Sequence, residues 1–513
     1  MRAVDWTVAA AYLAAVVVAG MWLGRRQRGA GDYFLGRHRL PWWAILFSIV
    51  AAETSAITVI SVPGIAYKGD LTFLQLAFGY LLGRIAVAWL LLPAYARGEV
   101  QTAYEVLGGR WGPHARRTSS AVFLVTRALA DSVRLFAIAI PLAVITGWSY
   151  PASIVVLGAA TLLYAYTGGL RAVVWMDVVQ LGVYLLAGAA ALWAALHLAP
   201  GALAAAGAAG KLRVVDWGLS LTAPYAFFTA LVGGAMLSAA SHGTDHLIVQ
   251  RLLATRTLRD ARLALVGSGV LVIGQFTLFL VVGAALWAAF PGGRALRGDE
   301  VFPRFITTHL AGGLAGLAVA GLLAAAMSTH ASAINALASA STHDFYAPRW
   351  RRRRAAGAGS ARPAGEVAGG GGGADEAEDR HLLRVGRMFS LLWGTLLVVG
   401  ALLFRERQAP VVVIALSVAS LTYGPLLGAF LLARLAWIRE RDVVTALILG
   451  SLLMAAVVFA GPLATVLGRP AALVALSALA WPWYVPLGTA LTVAIAAGSA
   501  LTGQRARGGE MRA

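Results

Sequence analysis

The sequence predicts an all-α polytopic membrane protein with about thirteen transmembrane helices. Of its 513 residues, 59% are hydrophobic and 13% are charged, and the mean hydropathy is +0.75. Soluble proteins carry about a quarter charged residues, whereas here apolar runs long enough to cross a bilayer recur along the whole chain. We therefore expect no soluble catalytic domain. The sequence also contains no HExxH, P-loop or GxSxG pattern, so we predict that the protein is not an enzyme.

Thirteen apolar segments have the length of a span. They lie near residues 6–23, 42–66, 72–96, 119–147, 150–168, 172–198, 222–241, 263–290, 310–340, 385–404, 409–434, 442–462 and 482–502. The first is followed by basic residues and not by a small-residue cleavage site, so we expect it to be retained as a helix. The apolar stretch 463–481 is interrupted by Gly468 and Pro470.

The net charge of +19 comes from basic residues whose distribution indicates the membrane topology. The basic residues lie in alternate short loops, which is the pattern of cytoplasmic loops and not of a nucleic-acid-binding surface. The protein is therefore expected in the plasma membrane, with its N-terminus outside and its C-terminus in the cytoplasm. The absence of cysteine excludes disulfides and thiol chemistry.

One loop, 346–384, differs in composition from the others. It contains an arginine run, a Gly/Ala-rich stretch and an acidic patch. Such a composition does not bury a core, so we predict a disordered cytoplasmic loop. Its arginines either contact anionic lipid headgroups or form a solvated linker that sets topology.

Two spans carry helix-breaking residues at corresponding positions. Span two contains Pro63-Gly64, and span seven, five spans later, contains Gly233-Gly234. Interrupted spans in matching places are typical of transporters built from inverted repeats, in which the unwound backbone binds ions and substrate. Gly and Pro are also common in ordinary membrane helices.

Ionisable residues inside predicted spans are costly and are usually functional. They are Glu53, Arg84, Arg127, Asp131, Arg134 and Asp177. In span four, Arg127, Asp131 and Arg134 are spaced to meet on one helix face. The trio either neutralises itself for structural reasons or lets Asp131 and Arg134 serve substrate binding or gating.

Span nine carries adjacent hydroxyl residues within an apolar helix. Ser328 and Thr329 are followed at helical spacing by Ser332 and Asn335. Such hydroxyls often bond their own helix backbone or a neighbouring helix. Aligned oxygens are also what a hard cation such as sodium requires, and both interpretations are open on spacing alone.

Five sequence segments resemble one known family, the sodium:solute symporters. They are GDYFLGRHRLPWWA (31–44), TAYEVLGGRWG (102–112), TGGLRAVVWMDVVQ (167–180), GTDHLIVQRLLA (243–254) and AAAMSTHASAINALASASTHDFY (324–346). The resemblance covers roughly residues 5–435. It implies a LeuT-like core of two inverted five-helix repeats, preceded by one helix and followed by more.

The resemblance also implies a division of the chain. The segments are a leading helix (1–30), the first repeat (31–200), the start of the second repeat (201–345), the disordered loop (346–384), the end of the second repeat (385–440) and the C-terminal helices with a cytoplasmic tail (441–513).

The family's common sodium site maps onto two helices of this chain. It implies backbone carbonyls of Ala51, Thr54 and Ala325 with the hydroxyls of Ser328 and Thr329 as ligands for Na⁺. A second sodium site present in some members maps onto Asp177, Ser328, Ala331 and Ser332. Because Ala331 stands where a hydroxyl is expected, one ligand of that second site is missing.

Substrate contacts implied by the resemblance come from several spans. They are Glu53, Ser55 and Thr58, polar groups such as Gln75, and aromatic gates such as Tyr225 or Phe228. The intramembrane charges of span four add Asp131 and Arg134 as candidates, because they border the predicted cavity. The arginine with which sialic-acid transporters bind a carboxylate falls near Ala130, so Arg127 or Arg134 would have to replace it.

The leading hypothesis is therefore a sodium-coupled symporter of a small organic solute, an organic anion or zwitterion being favoured. One alternative is a proton-coupled symporter of the same fold, with Glu53 or Asp177 as proton carrier. Another is a transporter-like sensor, which this sequence supports less because it contains no kinase or other output domain. The expected partners are a small-molecule substrate and membrane lipid, with no nucleic acid and no obligatory protein partner.

Overall fold

The computed structural model describes residues 2–24, 29–54, 56–96, 100–310, 312–358, 371–404 and 411–510. The first half of this part of the chain is helical. Its helices are α1 (Ala3–Gly24), α2 (Ala30–Leu35), α3 (Trp42–Glu53), α4 (Ala56–Lys68), α5 (Leu74–Leu90), α6 (Leu92–Tyr95), α7 (Glu105–Trp111), α8 (Pro113–Thr146), α9 (Tyr150–Leu198), α10 (Ala202–Ala208) and α11 (Phe227–Gly243).

The second half of the chain is also helical. Its helices are α12 (His246–Leu253), α13 (Leu258–Ala289), α14 (Gly298–His309), α15 (Leu314–Ala340), α16 (Ala347–Ala358), α17 (Gly371–Leu403), α18 (Val411–Leu432), α19 (Glu440–Val458), α20 (Ala460–Val466), α21 (Ala471–Ser477) and α22 (Tyr484–Glu510). A turn of π-helix, Ser341–Tyr346, joins α15 to α16.

The helices confirm the predicted all-α membrane fold. Each of the thirteen predicted spans coincides with a helix, a helix pair or half of a long helix. Within the described ranges, seven helices are long and apolar enough by themselves to cross a membrane, and the bent pair α3–α4 makes an eighth. The apolar stretch 463–481, which Gly468 and Pro470 interrupt, contains the end of α20 and the short helix α21.

The break in span two lies earlier than predicted. Helix α3 ends at Glu53, and Thr54 leaves helical geometry with φ −80° and ψ 92°, so the axes of α3 and α4 differ by 63°. Pro63-Gly64 does not interrupt α4. A Cβ on Gly64 would lie 2.3 Å from the carbonyl oxygen of Gly298, so this glycine permits close helix packing instead of a break.

The predicted break in span seven is displaced as well. Helix α11 runs without interruption through Gly233-Gly234, where a Cβ on Gly234 would lie 2.7 Å from the carbonyl oxygen of Leu76 in α5. The helix instead ends before Thr244 and Asp245, and the Asp245 carboxylate accepts the amide of Leu247 to begin α12. The two first helices of the predicted repeats are therefore both broken, but at other residues than the sequence indicated.

The long helix α9 contains the two predicted spans 150–168 and 172–198. Gly169 separates them with φ 54° and ψ −163°. Glycine adopts such a conformation without a steric penalty because it has no Cβ. The boundary predicted between the two spans is thus present as a change of backbone direction within one helical segment.

Helix α15 forms the centre of the fold. It packs against α9, α1, α8 and α17, and nearly all of its residues from Ala315 to Ala340 are buried. Small side chains along it allow this close packing. The Ser328-Thr329 pair is consequently enclosed by protein on all sides, and its hydroxyls must find partners inside the fold.

The disordered loop predicted over 346–384 differs from the structure at both ends, which are helical. Helix α16 continues from α15, and α17 begins at Gly371. The two helices contact each other, because the Trp350 ring stacks on His381 at a centroid distance of 4.9 Å and Arg351 pairs with Glu378 at 2.6 Å. Aromatic and ionic contacts between the ends therefore order what composition alone predicts to be disordered. Residues 359–370 lie outside the described part.

The topology prediction is tested by proteolysis of vesicles. We expect trypsin to cleave in the exposed arginine run of α16, at sites such as Arg354, only in inverted vesicles, because alternate basic loops are cytoplasmic. The C-terminal Arg505 and Arg507 should be cut in the same vesicles. The exposed Arg213 should be cut only in right-side-out vesicles. The reverse pattern would overturn the predicted orientation.

Candidate functional site

A cavity lies beside the break between α3 and α4. It encloses about 960 Å³ of empty space, its opening included. Its walls come from α3, α4, α5, α8, α11, α12, α13 and α18. Apolar walls include Phe73, Phe276 and Leu237, and polar groups include Thr58 and Ser61.

Two of the predicted sodium ligands, Ala325 and Thr329, lie where α15 passes the end of α3, and the α3 carbonyl that contacts Thr329 is that of Ala52, the neighbour of the predicted Ala51. The Thr329 hydroxyl lies 3.2 Å from the carbonyl oxygen of Ala325 and 3.5 Å from that of Ala52. Ala51 and Thr54 lie on the same last turn of α3 and are buried. A helix end leaves carbonyls without intrahelical donors, so this turn presents oxygens next to the hydroxyls of α15.

The hydroxyl of Thr54 is bonded away from this group of oxygens. It exchanges hydrogen bonds of 2.7 and 3.0 Å with the Gln275 amide of α13, and the Tyr184 hydroxyl donates to the same Gln275 oxygen at 3.3 Å. Sequence reasoning did not identify Gln275. Its contact fixes Thr54 where α3 ends, so the amide holds the broken helix against α13.

Ser328, the remaining predicted ligand, donates its hydroxyl to Asp177 Oδ1 at 2.6 Å. Asp177 is fully buried. Its Oδ2 accepts the Ser48 hydroxyl and lies 3.1 Å from a guanidinium nitrogen of Arg251. The carboxylate predicted for a second sodium site is thus already neutralised by an arginine, which the sequence analysis had not singled out.

Glu53 lines the cavity and forms an ion pair with Arg84. Arg84 also donates to Ser268 at 2.7 Å, and His242 Nε2 lies 3.7 Å from the Glu53 carboxylate. Two intramembrane charges of the sequence analysis therefore neutralise each other, with the Glu53 side chain 21% exposed to the cavity.

The charges of span four meet as their spacing predicts. Asp131 contacts Arg127 and lies 3.1 Å from Arg134. Arg127 also pairs with Asp245 at 3.0 Å, whose carboxylate accepts the Tyr423 hydroxyl at 2.8 Å. Two arginines thus face two carboxylates, and both arginines line the cavity. Sequence reasoning found three members of this network but not Asp245 or Tyr423.

The other predicted substrate residues lie in different places. Thr58 lines the cavity. Tyr225 contacts the cavity-lining Phe73 at a ring centroid distance of 5.3 Å. Phe228 is 48% exposed and does not line the cavity. Ser55 lies outside the described residues.

Gln75 is buried and holds loops together instead of facing the cavity. Its amide nitrogen donates to the carbonyls of Thr72 and Tyr225. Thr72, whose carbonyl accepts from Gln75, also bonds to Asp70. Burial raises the pKa of Asp70, but hydrogen bonds from the Thr72 hydroxyl and amide and from Arg213 lower it by more. The pKa of Asp70 therefore lies below its usual value. These contacts tie the loop after α4 to the segment before α11.

The sequence profile of the sodium:solute symporter family matches residues 33–359. The chain belongs to this family. It is 29% identical to the human sodium/iodide cotransporter over 448 residues, which cover 83% of this chain and 65% of that protein. It is 26% identical over 354 residues to the sodium/sialic acid symporter SiaT of Proteus mirabilis, covering 67% and 71% of the two chains.

The fold is also that of known symporters. A sodium-coupled sialic acid symporter in a substrate-bound, outward-open state superposes with a TM-score of 0.80 at 21% identity, covering 98% of each chain. A nucleobase-cation-symport-1 family transporter in a closed conformation superposes with a TM-score of 0.54 at 13% identity, covering 92% of this chain and 94% of that one.

The comparisons confirm four predictions: family, LeuT-like helical fold, sodium as coupling ion and sodium-coupled transport as the activity of the family. The protein is a multi-pass membrane protein whose relatives are transporters and not enzymes. The roles of individual site residues stay predictions.

Proposed function

We propose that the protein moves one small organic anion or zwitterion into the cell together with sodium by alternating access. One observation carries this proposal: the end of α3 borders both the substrate cavity and the predicted sodium site. Ala52 and Glu53 line the cavity, while the Ala52 carbonyl lies beside the Thr329 hydroxyl. Sodium bound to the end of α3 would therefore fix one wall of the substrate cavity.

This shared wall gives a physical basis for coupling. Sodium favours the arrangement in which the α3 carbonyls and the α15 hydroxyls are close together. A substrate that contacts Glu53 or Thr58 favours the same arrangement, so each ligand raises the affinity for the other. Loss of sodium on the cytoplasmic side would release both.

Arg134 supports an anionic or zwitterionic substrate. Its Nη1 bonds to Asp131 at 3.1 Å, and its side chain, 15% exposed, lines the cavity. A guanidinium has five N–H donors, so Arg134 keeps donors for a substrate carboxylate. Glu53 on the α3 side of the cavity has acceptor capacity for an ammonium or hydroxyl group of the same molecule.

The contacts of Glu53 and Asp177 support sodium over proton coupling. Each carboxylate is paired with an arginine, Glu53 with Arg84 and Asp177 with Arg251. An adjacent guanidinium favours the charged form of a carboxylate, and this argues against its use as a proton carrier. A sensor role has no specific support from the described residues. The basic loops support the plasma membrane, with the N-terminus outside.

A thermal-shift screen tests the proposal. Sodium, and not potassium at equal ionic strength, should stabilise the detergent-solubilised protein, because a ligand of the folded state shifts unfolding by mass action. Organic anions and amino acids should add a further shift only when sodium is present. Stabilisation by lowered pH without any sodium effect would instead support proton coupling.

A further inference from the structure

The Arg251 guanidinium lies among the groups that the family resemblance assigns to a second sodium ion. It contacts Asp177 Oδ2 at 3.1 Å and the Ser332 hydroxyl. It also donates to the Ser48 hydroxyl and to the Leu247 carbonyl, both at 2.8 Å. Arg251 and Asp177 are both fully buried, so a positive charge is already present at this place.

The side-chain oxygens around the Arg251 guanidinium already have hydrogen-bond partners. Asp177 Oδ1 accepts from Ser328, and Oδ2 accepts from Ser48 and Arg251. The Ser332 hydroxyl donates to the Ser328 carbonyl at 2.7 Å, and residue 331 is an alanine. A sodium ion would have to displace the guanidinium, which would leave a buried charge without its partner.

We infer that Arg251 is a built-in cation that takes the place of the second sodium, so that this symporter binds and couples one sodium ion. The inference rests on the proposed function. It also assigns a role to the pair of Asp177 and Arg251. Because Ser328 donates its proton to Asp177, the hydroxyl is fixed while its lone pairs stay available to the sodium at the end of α3.

Equilibrium binding of radiolabelled sodium to the purified full-length protein tests this without a known substrate. We expect a capacity of one sodium per protein and a sodium-induced stability curve without cooperativity. A capacity of two would overturn the inference but leave sodium coupling intact. A capacity of zero would overturn the proposed function itself, so the two failures are distinguishable.

Two variants test whether the arginine excludes the ion. Ala331→Ser restores the missing hydroxyl but keeps Arg251, so its capacity should stay at one. Ala331→Ser combined with Arg251→Gln frees Asp177 and should raise the capacity to two. Two ions bound by Ala331→Ser alone would refute exclusion by Arg251, and this result does not depend on folding of the double variant.

The positioning role has its own readout. Asp177→Asn with Arg251→Gln removes both charges together and keeps the region neutral. We expect a capacity of one or less with sodium affinity weakened about ten- to a hundred-fold, the usual effect of losing a group that orients a metal ligand. An unchanged sodium affinity in this variant would refute the positioning role.

Discussion

Ser328→Ala combined with Thr329→Ala should abolish the stabilisation of this protein by sodium and with it sodium-driven uptake. The double variant removes the Thr329 hydroxyl, which lies beside the end of α3, and the Ser328 hydroxyl, which is predicted to join it as a sodium ligand. At a sodium concentration of about 100 times Kd, binding contributes about 2.7 kcal/mol to the free energy of unfolding. We expect most of that increment to vanish, measured as the difference in melting temperature between sodium and potassium.

The difference in melting temperature between sodium and potassium is the correct measure, because the mutations also change the stability of the protein without sodium. Asp177 loses the hydrogen bond from Ser328, which costs about 1 kcal/mol in either salt. Thr342→Ala is a matched control, since the buried Thr342 hydroxyl bonds to the Ala338 carbonyl one helical turn before it. The control should keep the full sodium effect. A double variant that also keeps it would refute the sodium site.

Sequence periodicity and hydropathy predict the helices of this fold well, because a bilayer demands long apolar segments. Helix breaks are harder to predict. Pro63-Gly64 and Gly233-Gly234 look like interruptions, but Gly64 and Gly234 serve close packing. The break after Thr54 has no glycine or proline beside it. The residues that contact the end of α3, Gln275 and Thr329, lie far away along the chain, so no local pattern encodes the break.

The charged groups of the site show a second limit of sequence reasoning. Asp245 and Arg251 lie between the predicted spans 222–241 and 263–290, so they do not count among the charges of any predicted span. The structure buries both, with exposures of 1% and 0%, and pairs them with Arg127 and Asp177. Counting charges by span therefore misses partners that enter from the ends of neighbouring helices. The GTDHLIVQRLLA motif was the one available signal for these two residues.

The second large effect concerns Asp131, which contacts both arginines of span four. Asp131→Asn should sharply reduce folding and expression, because removing one partner of a buried ion pair costs about 3–5 kcal/mol. Arg127 keeps Asp245 as a partner, so the uncompensated charge should be that of Arg134. The measurement is the yield of monodisperse protein and its melting temperature.

This reasoning predicts which second mutation restores folding. Asp131→Asn with Arg134→Gln leaves the Arg127–Asp245 pair intact and should recover most of the lost stability. Asp131→Asn with Arg127→Gln leaves Asp245 and Arg134 each without their ion-pair partner, and should recover little. Equal recovery in both double variants would contradict the pairing seen in the structure.

Arg134→Gln alone separates a structural from a substrate-binding role of this arginine. Asp131 and Asp245 both keep Arg127, and Arg134 is more exposed than Arg127, Asp131 and Asp245, so expression should survive. The apparent affinity for an anionic substrate should fall at least about ten-fold, since a charged hydrogen bond contributes about 1.5–3 kcal/mol. Normal transport of a neutral sugar or polyol by Arg134→Gln would contradict the proposed anionic or zwitterionic substrate, while leaving the sodium site untouched.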